Sequence, residues 1–149
     1  MSNENLPDTT KLVAVYENNS ENIDKINKAL LEARTISDKV SDFGNQLKIA
    51  AYIKDIHDNI TPECVELLKF LQGKNIGFKT DGGERGKDGY PDHVIKNCVI
   101  EAMIYGLRPL YNEFNILGGN MYVTRQGFER LVYQHPELED LDIKNEPAK

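Results

Sequence analysis

The chain has 149 residues, 40% of them hydrophobic and 28% charged, with a formal net charge of −6 at pH 7. This length suits one ordinary domain, and the acidity excludes a uniformly basic protein that clamps nucleic acid by charge alone. The excess of acidic residues lies before residue 76 and after residue 130, because residues 76–130 contain seven basic and seven acidic side chains. The polar N-terminus and the absence of a long apolar run predict a cytoplasmic protein without membrane contact.

The N-terminal half is expected to be helical. Residues 1–10 are short and polar, which predicts disorder, and the apolar residues 11–17 fit either a strand or the lead-in to a helix. Ser20 is the expected N-cap of a helix whose apolar residues recur as far as Phe43, and Gly44 is expected to end or bend it. A second helical stripe follows, formed by Leu47, Ala50, Ile53, Ile56 and Ile60.

These two stripes predict a helical hairpin in which each helix packs through one apolar face. A coiled coil is less favoured because both stripes are short and interrupted. Thr61-Pro62-Glu63 predicts the start of a third helix, with threonine as the N-cap and proline in the first turn. That helix is expected to stop at Gln72-Gly73, and the glycine-rich segment 75–89 is expected to be a mobile loop.

The segment 90–135 predicts a helix, a tight hairpin and a second helix in close succession. Pro91 is expected to open the first helix, and Gly106 is expected to end it, with Pro109 preventing its continuation. Gly118-Gly119-Asn120 predicts the hairpin turn. The residues expected on the apolar side of the hairpin are Phe114, Ile116, Met121 and Val123.

Thr124 is the expected cap of the last helix, which should bury Phe128, Leu131 and Val132. The fold class is therefore predicted as α+β, in one compact domain over residues 11–136. That domain has a helical N-terminal half and a helix–hairpin–helix core at 90–135. Residues 137–149 are expected to be an acidic tail or linker.

Signatures of catalysis and of metal binding are missing from the sequence. Around Gly86-Lys87 the P-loop spacing fails, and a calcium loop starting at Asp81 lacks oxygen ligands at its third and fifth positions. The three histidines lie on separate segments, and no serine lies on a nucleophile elbow. Cys64 and Cys98 fall in apolar helical patterns, which predicts buried, reduced thiols. We therefore expect a protein that is not an enzyme and needs no metal or cofactor.

The face of the hairpin opposite its apolar side is polar and aromatic. Strand alternation places Asn115 and Tyr122 on that face, near Arg125 and Arg130. Such a surface can contact phosphates and stack on bases, although a solvated hairpin face with an aromatic rim is an equally good explanation of the composition.

Two stretches of the segment 90–135 resemble a known family. Residues 98–103 (CVIEAM) followed by Gly106-Leu107-Arg108-Pro109 are similar to a helix and its GL-x-P turn in the RecT/Redβ-type phage single-strand annealing proteins. Residues 120–128 (NMYVTRQGF) are similar to the second hairpin strand and the start of the next helix in that family. The resemblance covers about a third of the chain.

The resemblance implies single-stranded DNA binding and strand annealing without ATP in phage-type recombination, inside a bacterial host. It implies a homo-oligomer, with the helical half serving subunit contacts, that binds single strands and annealed duplex; an exonuclease is a partner that it allows. From charge and position we infer these nucleic-acid-binding residues: Lys79, Arg85, Lys87, Lys96, Tyr122, Arg125 and Arg130. The alternative is an acidic, non-enzymatic module that binds a protein partner through the helical hairpin.

Overall fold

The computed structural model describes residues 14–36, 41–82 and 89–134. The chain divides into two compact units, Met1–Phe70 and Leu71–Lys149, and each is described by itself. The predicted disordered N-terminus and the predicted acidic tail lie outside the described residues. The α+β class is confirmed, whereas the joining of both units into one domain stays a prediction.

The first unit is helical. A short helical segment at 14–18 is followed by α1 (Ser20–Thr35), α2 (Phe43–Asn59) and α3 (Pro62–Phe70). Helices α1 and α2 pack against each other, and Asn22 near the start of α1 donates to Asn59 at the end of α2 at 3.1 Å. The two helices are therefore antiparallel, which confirms the predicted helical hairpin.

The predicted boundary between the first two helices is wrong. Helix α1 ends at Thr35, and Phe43 begins α2 instead of ending α1. The Asp42 carboxylate caps α2 by accepting a hydrogen bond from the Asn45 amide at 3.0 Å. Gly44 therefore lies in the first turn of a helix, and an aspartate N-cap is the local signal that the sequence interpretation overlooked.

The predicted apolar stripe on α2 is wrong in its N-terminal half. Ile56 and Ile60 are buried, but Leu47 is 56% exposed and Ile53 is also exposed. The face that packs on α1 instead includes Tyr52, which is partly buried. Because α2 has apolar residues on two sides, the pattern alone does not decide which side is buried.

The predicted start of the third helix is confirmed. Pro62 is its first residue, and the Thr61 hydroxyl accepts from the Cys64 amide at 3.4 Å while donating to Asn19 at 2.7 Å. At the other end of the unit, the described part of the segment 11–17 is helical, which decides between its two interpretations.

The second unit combines a three-stranded sheet with two helices. Its elements are β1 (Lys79–Thr80), α4 (Asp92–Ile104), β2 (Phe114–Leu117), β3 (Asn120–Val123) and α5 (Arg125–Gln134). The strand order is β1-β2-β3, with β1 parallel to β2 and β2 antiparallel to β3. The predicted hairpin is confirmed, and Gly118 and Gly119 form its turn with positive φ angles of 59° and 80°.

The prediction that residues 75–89 form a loop throughout is wrong at β1. Lys79 and Thr80 pair with Asn115 and Ile116, and Gln72 forms a parallel bridge to Phe78. A two-residue strand in a glycine-rich segment has no periodicity of its own, because only its partner strand defines it. Residues 83–88 of that loop lie outside the described range.

The core of the second unit lies between α4 and the sheet. Helix α4 contributes the buried residues Ile95, Val99 and Ala102, and the rings of Phe78 and Phe114 stack with centroids 5.0 Å apart. Pro91 lies at the N-cap of α4, one residue before the predicted position, and Gly106 follows the helix with φ +90° as expected.

Helix α5 packs closely through a glycine instead of the predicted phenylalanine. Phe128 is exposed, which corrects its expected place in the core, whereas Gly127 is buried. A Cβ atom at Gly127 would lie 2.1 Å from the Glu113 carbonyl oxygen and 2.9 Å from a Leu107 methyl. Only glycine permits this approach, so α5 is held against the segment that leads into β2.

We expect Gly127→Ala to destabilise the protein by about 1–3 kcal/mol, because the new methyl overlaps backbone instead of a mobile side chain. Urea unfolding measures the change. The control is Gly44→Ala in the first turn of α2, where the new Cβ meets only the Asp42 carboxylate, which can move. An equal effect of the two substitutions would contradict the close approach.

Candidate nucleic-acid interface

A row of three side chains crosses the open face of the sheet. Lys79 on β1 is the register partner of Asn115 on β2, and Asn115 is the register partner of Tyr122 on β3. Side chains of directly opposed residues project to the same face, so a cation, an amide and a phenol lie side by side. The opposite face carries the buried residues Phe114 and Ile116.

The three members of this row differ in solvent exposure. Lys79 is exposed and Tyr122 is 52% exposed, whereas Asn115 is partly buried between them. The Oδ1 atom of Asn115 is buried and accepts no hydrogen bond within the described part of the chain. A buried acceptor without a donor costs stability.

The tip of the hairpin is held by Asp81 and Tyr90. The Asp81 carboxylate follows β1 and accepts from the Gly118 amide at 3.0 Å, and the Tyr90 hydroxyl donates to the same carboxylate. The Tyr90 oxygen also accepts from the Gly119 amide at 3.0 Å. These bonds tie the end of β1 to the turn between β2 and β3, so the open face has a fixed shape.

A buried ion cluster lies behind the start of β2. The Glu113 side chain is 2% exposed and accepts from Nε of both Arg108 and Arg130, at 2.8 and 2.5 Å. It also accepts from the Arg108 amide at 2.8 Å, and Arg130 donates to the carbonyl oxygen of Gly106. The cluster thereby joins α5 to the turn that follows α4.

The charges of this cluster affect the protonation of Glu113. Burial alone would raise the pKa of its carboxyl group, but hydrogen bonds from Arg130 and Arg108 outweigh burial and lower it. Glu113 is therefore ionised in the folded protein at neutral pH. Its stabilising effect is complete above the pKa of the unfolded chain and is lost as the pH falls through the lower, folded value.

The two residues before Glu113 have an unusual backbone. Tyr111 and Asn112 both have positive φ angles, 63° and 55°, a conformation that costs a residue other than glycine on the order of 1–3 kcal/mol. The Asn112 Oδ1 atom is buried and accepts no hydrogen bond from the described residues. The guanidinium carbon of Arg108 lies 5.0 Å from the centroid of the Tyr111 ring.

The structure brings together only some of the predicted nucleic-acid-binding residues. Lys79 and Tyr122 share the row, and Arg125 begins α5 two residues after β3, where it forms an exposed ion pair with Glu129 at 2.9 Å. Lys96 lies on α4 and is partly buried. Two further predicted nucleic-acid-binding residues, Arg85 and Lys87, lie in the glycine-rich segment 75–89 and are outside the described residues.

Arg130 has a structural partner that the sequence interpretation did not anticipate. Its guanidinium is mostly buried against Glu113, an arrangement that does not favour a contact with phosphate. The roles of Glu113, Arg108, Asp81 and Tyr90 were also missed, because their partners lie elsewhere in the sequence. The pair Tyr111-Asn112 left a weak local signal, since asparagine tolerates a positive φ angle better than most residues.

The other polar groups of the described residues do not point to a particular reaction. The described residues contain no group of three or more metal-ligating side chains. Cys98 is buried, and burial raises the pKa of its thiol to about 11. A groove of about 400 Å³ between α1 and α2 is lined by Lys25 and Lys28 as well as by Glu32 and Asp55. Such mixed charge defines no ligand class. The absence of enzymatic activity stays a prediction.

Comparison of the chain with protein-family models, with curated proteins and with solved structures finds no match. Within the described ranges, no helix is both long enough and apolar enough to cross a membrane.

We expect Glu113→Gln to lower the free energy of unfolding by about 3 kcal/mol at pH 7, because it leaves Arg130 with no charged partner. The difference from wild type should begin to shrink as the pH falls below about 4.5, the ordinary pKa of a glutamate, because the unfolded chain then takes up a proton that the folded carboxylate does not; it is lost as the pH falls through the lower pKa of the folded state. Urea unfolding between pH 7 and pH 3.5 measures both.

Glu129→Gln is the matched control for this measurement. It removes the same charge from an exposed pair with Arg125, where the expected change is within about 0.5 kcal/mol at every pH. A constant difference between wild type and Glu113→Gln across the pH range would mean that ionisation of Glu113 contributes nothing to stability.

Proposed function

We propose that the chain binds single-stranded DNA on the open face of the sheet in its second unit. The observation that carries this proposal is the cross-strand row of Lys79, Asn115 and Tyr122. A lysine provides a phosphate contact, a tyrosine ring provides a surface for base stacking, and the amide between them adds polar character to the same face. Phosphate contacts and base stacking are the contacts that an unpaired strand requires.

Sequence-independent binding fits these residues better than the recognition of one site. Every base has a flat face that stacks on an aromatic ring, and every nucleotide has a phosphate. Arg125 extends the cationic surface beyond the end of β3, where its side chain is 89% exposed. The chain as a whole is acidic, so each copy makes few phosphate contacts and binds with an affinity that decreases as salt increases.

Strand annealing is the activity that we propose for the assembled protein. Single copies with few contacts bind a strand weakly, whereas a homo-oligomer multiplies those contacts along it. Bases held extended on an open face remain available for pairing, and no nucleotide hydrolysis is required. The resemblance of residues 90–135 to phage annealing proteins supports this function, including its place in phage-type recombination.

We expect Tyr122→Ala to weaken binding of a labelled single-stranded oligonucleotide by about 5- to 150-fold, the range for losing one base-stacking contact. Lys79→Glu should weaken it as well and should reduce the dependence of affinity on salt by about one phosphate contact. Fluorescence anisotropy at low and moderate salt measures both, and the rate of pairing with an added complementary strand measures annealing.

Two controls match these substitutions. Tyr133→Ala removes a tyrosine that is even more exposed from α5, outside the row, and Lys54→Glu makes the same charge change on α2. Both should bind like wild type. If wild type fails to bind at low salt, the proposed function is wrong for this chain; if all four variants bind equally, the row is not the site.

An interaction module that binds a protein partner is the second candidate, and one observation favours it. Phe43 and Leu47 lie one turn apart on α2 and are both exposed, and adjoining apolar side chains at a surface favour an interaction site. The same surface would serve contacts between copies if the protein anneals DNA. The side chain of Ile56 is fully buried and belongs to the core, so substituting it tests folding and not binding.

We expect Leu47→Asp to reduce the oligomeric mass measured by light scattering while changing the free energy of unfolding by less than about 0.5 kcal/mol, as is usual at exposed positions. Lys48→Asp is the control, because it places the same side chain about 100° around the helix from Leu47. Unchanged mass in Leu47→Asp would exclude this surface from self-association and leave it for a different partner.

A further inference from the structure

Tyr111 has a backbone conformation that its side chain does not favour. It and Asn112 are consecutive residues with φ angles of 63° and 55°, where glycine would fit without strain. The conformation is held by the Tyr111 amide, which donates to the Ile76 carbonyl at 2.7 Å, and by the Asn112 amide, which donates to the Gly77 carbonyl at 2.8 Å. These two backbone hydrogen bonds account for the conformation, but they do not require a tyrosine side chain at position 111.

Packing does not explain the tyrosine either. The Tyr111 side chain is 55% exposed, so the ring contributes only part of its surface to the interior. The adjacent Asn112 buries an Oδ1 atom that accepts no hydrogen bond in the described part of the chain. A segment that combines backbone strain, an unpaired buried acceptor and an exposed aromatic ring is typical of a functional position.

The arginine beside the ring is fixed in place. The guanidinium of Arg108 lies 5.0 Å from the centroid of the Tyr111 ring, within the distance of a cation–π contact. Its Nε and Nη2 atoms both donate to Glu113, at 2.8 and 2.5 Å, so the buried carboxylate orients it. About half of the Arg108 side chain is exposed. The result is a preorganised pair of flat groups at the surface.

The pair lies at one end of the sheet. Ile76 and Gly77 precede β1, and their carbonyl groups accept from the backbone amides of Tyr111 and Asn112. Asn112 lies two residues before β2. The Thr124 hydroxyl, just after β3, donates to the Asn112 carbonyl at 2.6 Å. The pair is therefore located where β1 and β2 begin and β3 ends, in the same unit as the proposed binding face.

We infer that Tyr111 and Arg108 form a stacking platform for an unpaired nucleobase. The base would stack on the flat groups of the pair, which the cation–π contact and the Glu113 carboxylate hold in place. This inference rests on the proposed function and adds a second base contact to that of Tyr122. It also explains why the strained backbone conformation carries a tyrosine, because that conformation sets the position of the ring.

The test compares four variants of the full chain. Tyr111→Ala and Tyr111→Gly both remove the ring, but only glycine relieves the positive φ angle, so we expect Tyr111→Gly to unfold about 3 °C higher than Tyr111→Ala. Both should bind a single-stranded oligonucleotide about tenfold more weakly than wild type. Tyr111→Phe keeps the ring and should bind normally, and Asn112→Gly, the control at the adjacent strained position, should too.

A second measurement separates stacking from a purely structural role. Anisotropy is compared for an oligonucleotide with bases and for one of the same length with several abasic sites. Wild type should prefer the first, and Tyr111→Ala should lose about tenfold of that preference while Tyr122 maintains the rest; equal weakening towards both would mean that Tyr111 acts only by supporting the fold.

The failures of the two proposals are distinguishable. If wild type binds neither oligonucleotide at low salt, the proposed function is wrong and the platform with it. If wild type and Tyr111→Ala bind both oligonucleotides equally well, and Tyr122→Ala is still impaired, the platform alone is overturned.

Discussion

The second unit depends on the buried carboxylate of Glu113. This single side chain joins Arg108 in the turn after α4 to Arg130 on α5, while its backbone oxygen accepts from Thr124 at 3.1 Å and lies against Gly127. A buried charge is tolerated only when it is paired and hydrogen-bonded, so these partners must be present together. The docking of α5, the entry into β2 and the position of the Arg108 guanidinium are consequently set by one interaction.

This arrangement limits where the chain can contact a polyanion. Arg130 neutralises Glu113 and is mostly buried, and Arg108 shares its guanidinium between Glu113 and the Tyr111 ring. Among the described residues, the cations that remain at the surface near the sheet are therefore few, with Lys79 and Arg125 the clearest. Under the proposed function, affinity for a single strand depends as much on stacking as on charge, and each copy of an oligomer would supply only a few of the contacts to a long strand.

Rigidity of the sheet is the other condition for such a surface. The hairpin tip is fixed by Asp81 and Tyr90, and the opposite end of the sheet is fixed by the hydrogen bonds that hold Tyr111 and Asn112. Between these two ends lies the row that contains Tyr122. Under the proposed function, a strand along this face would meet groups whose positions are already set, so the protein itself would lose little conformational entropy on binding.

The sequence by itself determined the features that depend on neighbouring residues. Thr61-Pro62, Gly106, Gly118-Gly119 and Thr124 marked helix ends and a turn correctly, because caps and positive-φ turns are formed by residues close in the chain. The α+β class and the polar face with Asn115 and Tyr122 followed from the same local patterns.

Only the tertiary structure decided what depends on distant partners. Strand β1 exists because β2 pairs with it more than thirty residues away, and Arg130 is a structural residue because Glu113 lies seventeen positions earlier. Leu47 is exposed because α1 packs on a different side of α2. Local composition is the same whether or not such a partner is present. Only the pairing of β1, β2 and β3 therefore shows that Lys79, Asn115 and Tyr122 lie side by side.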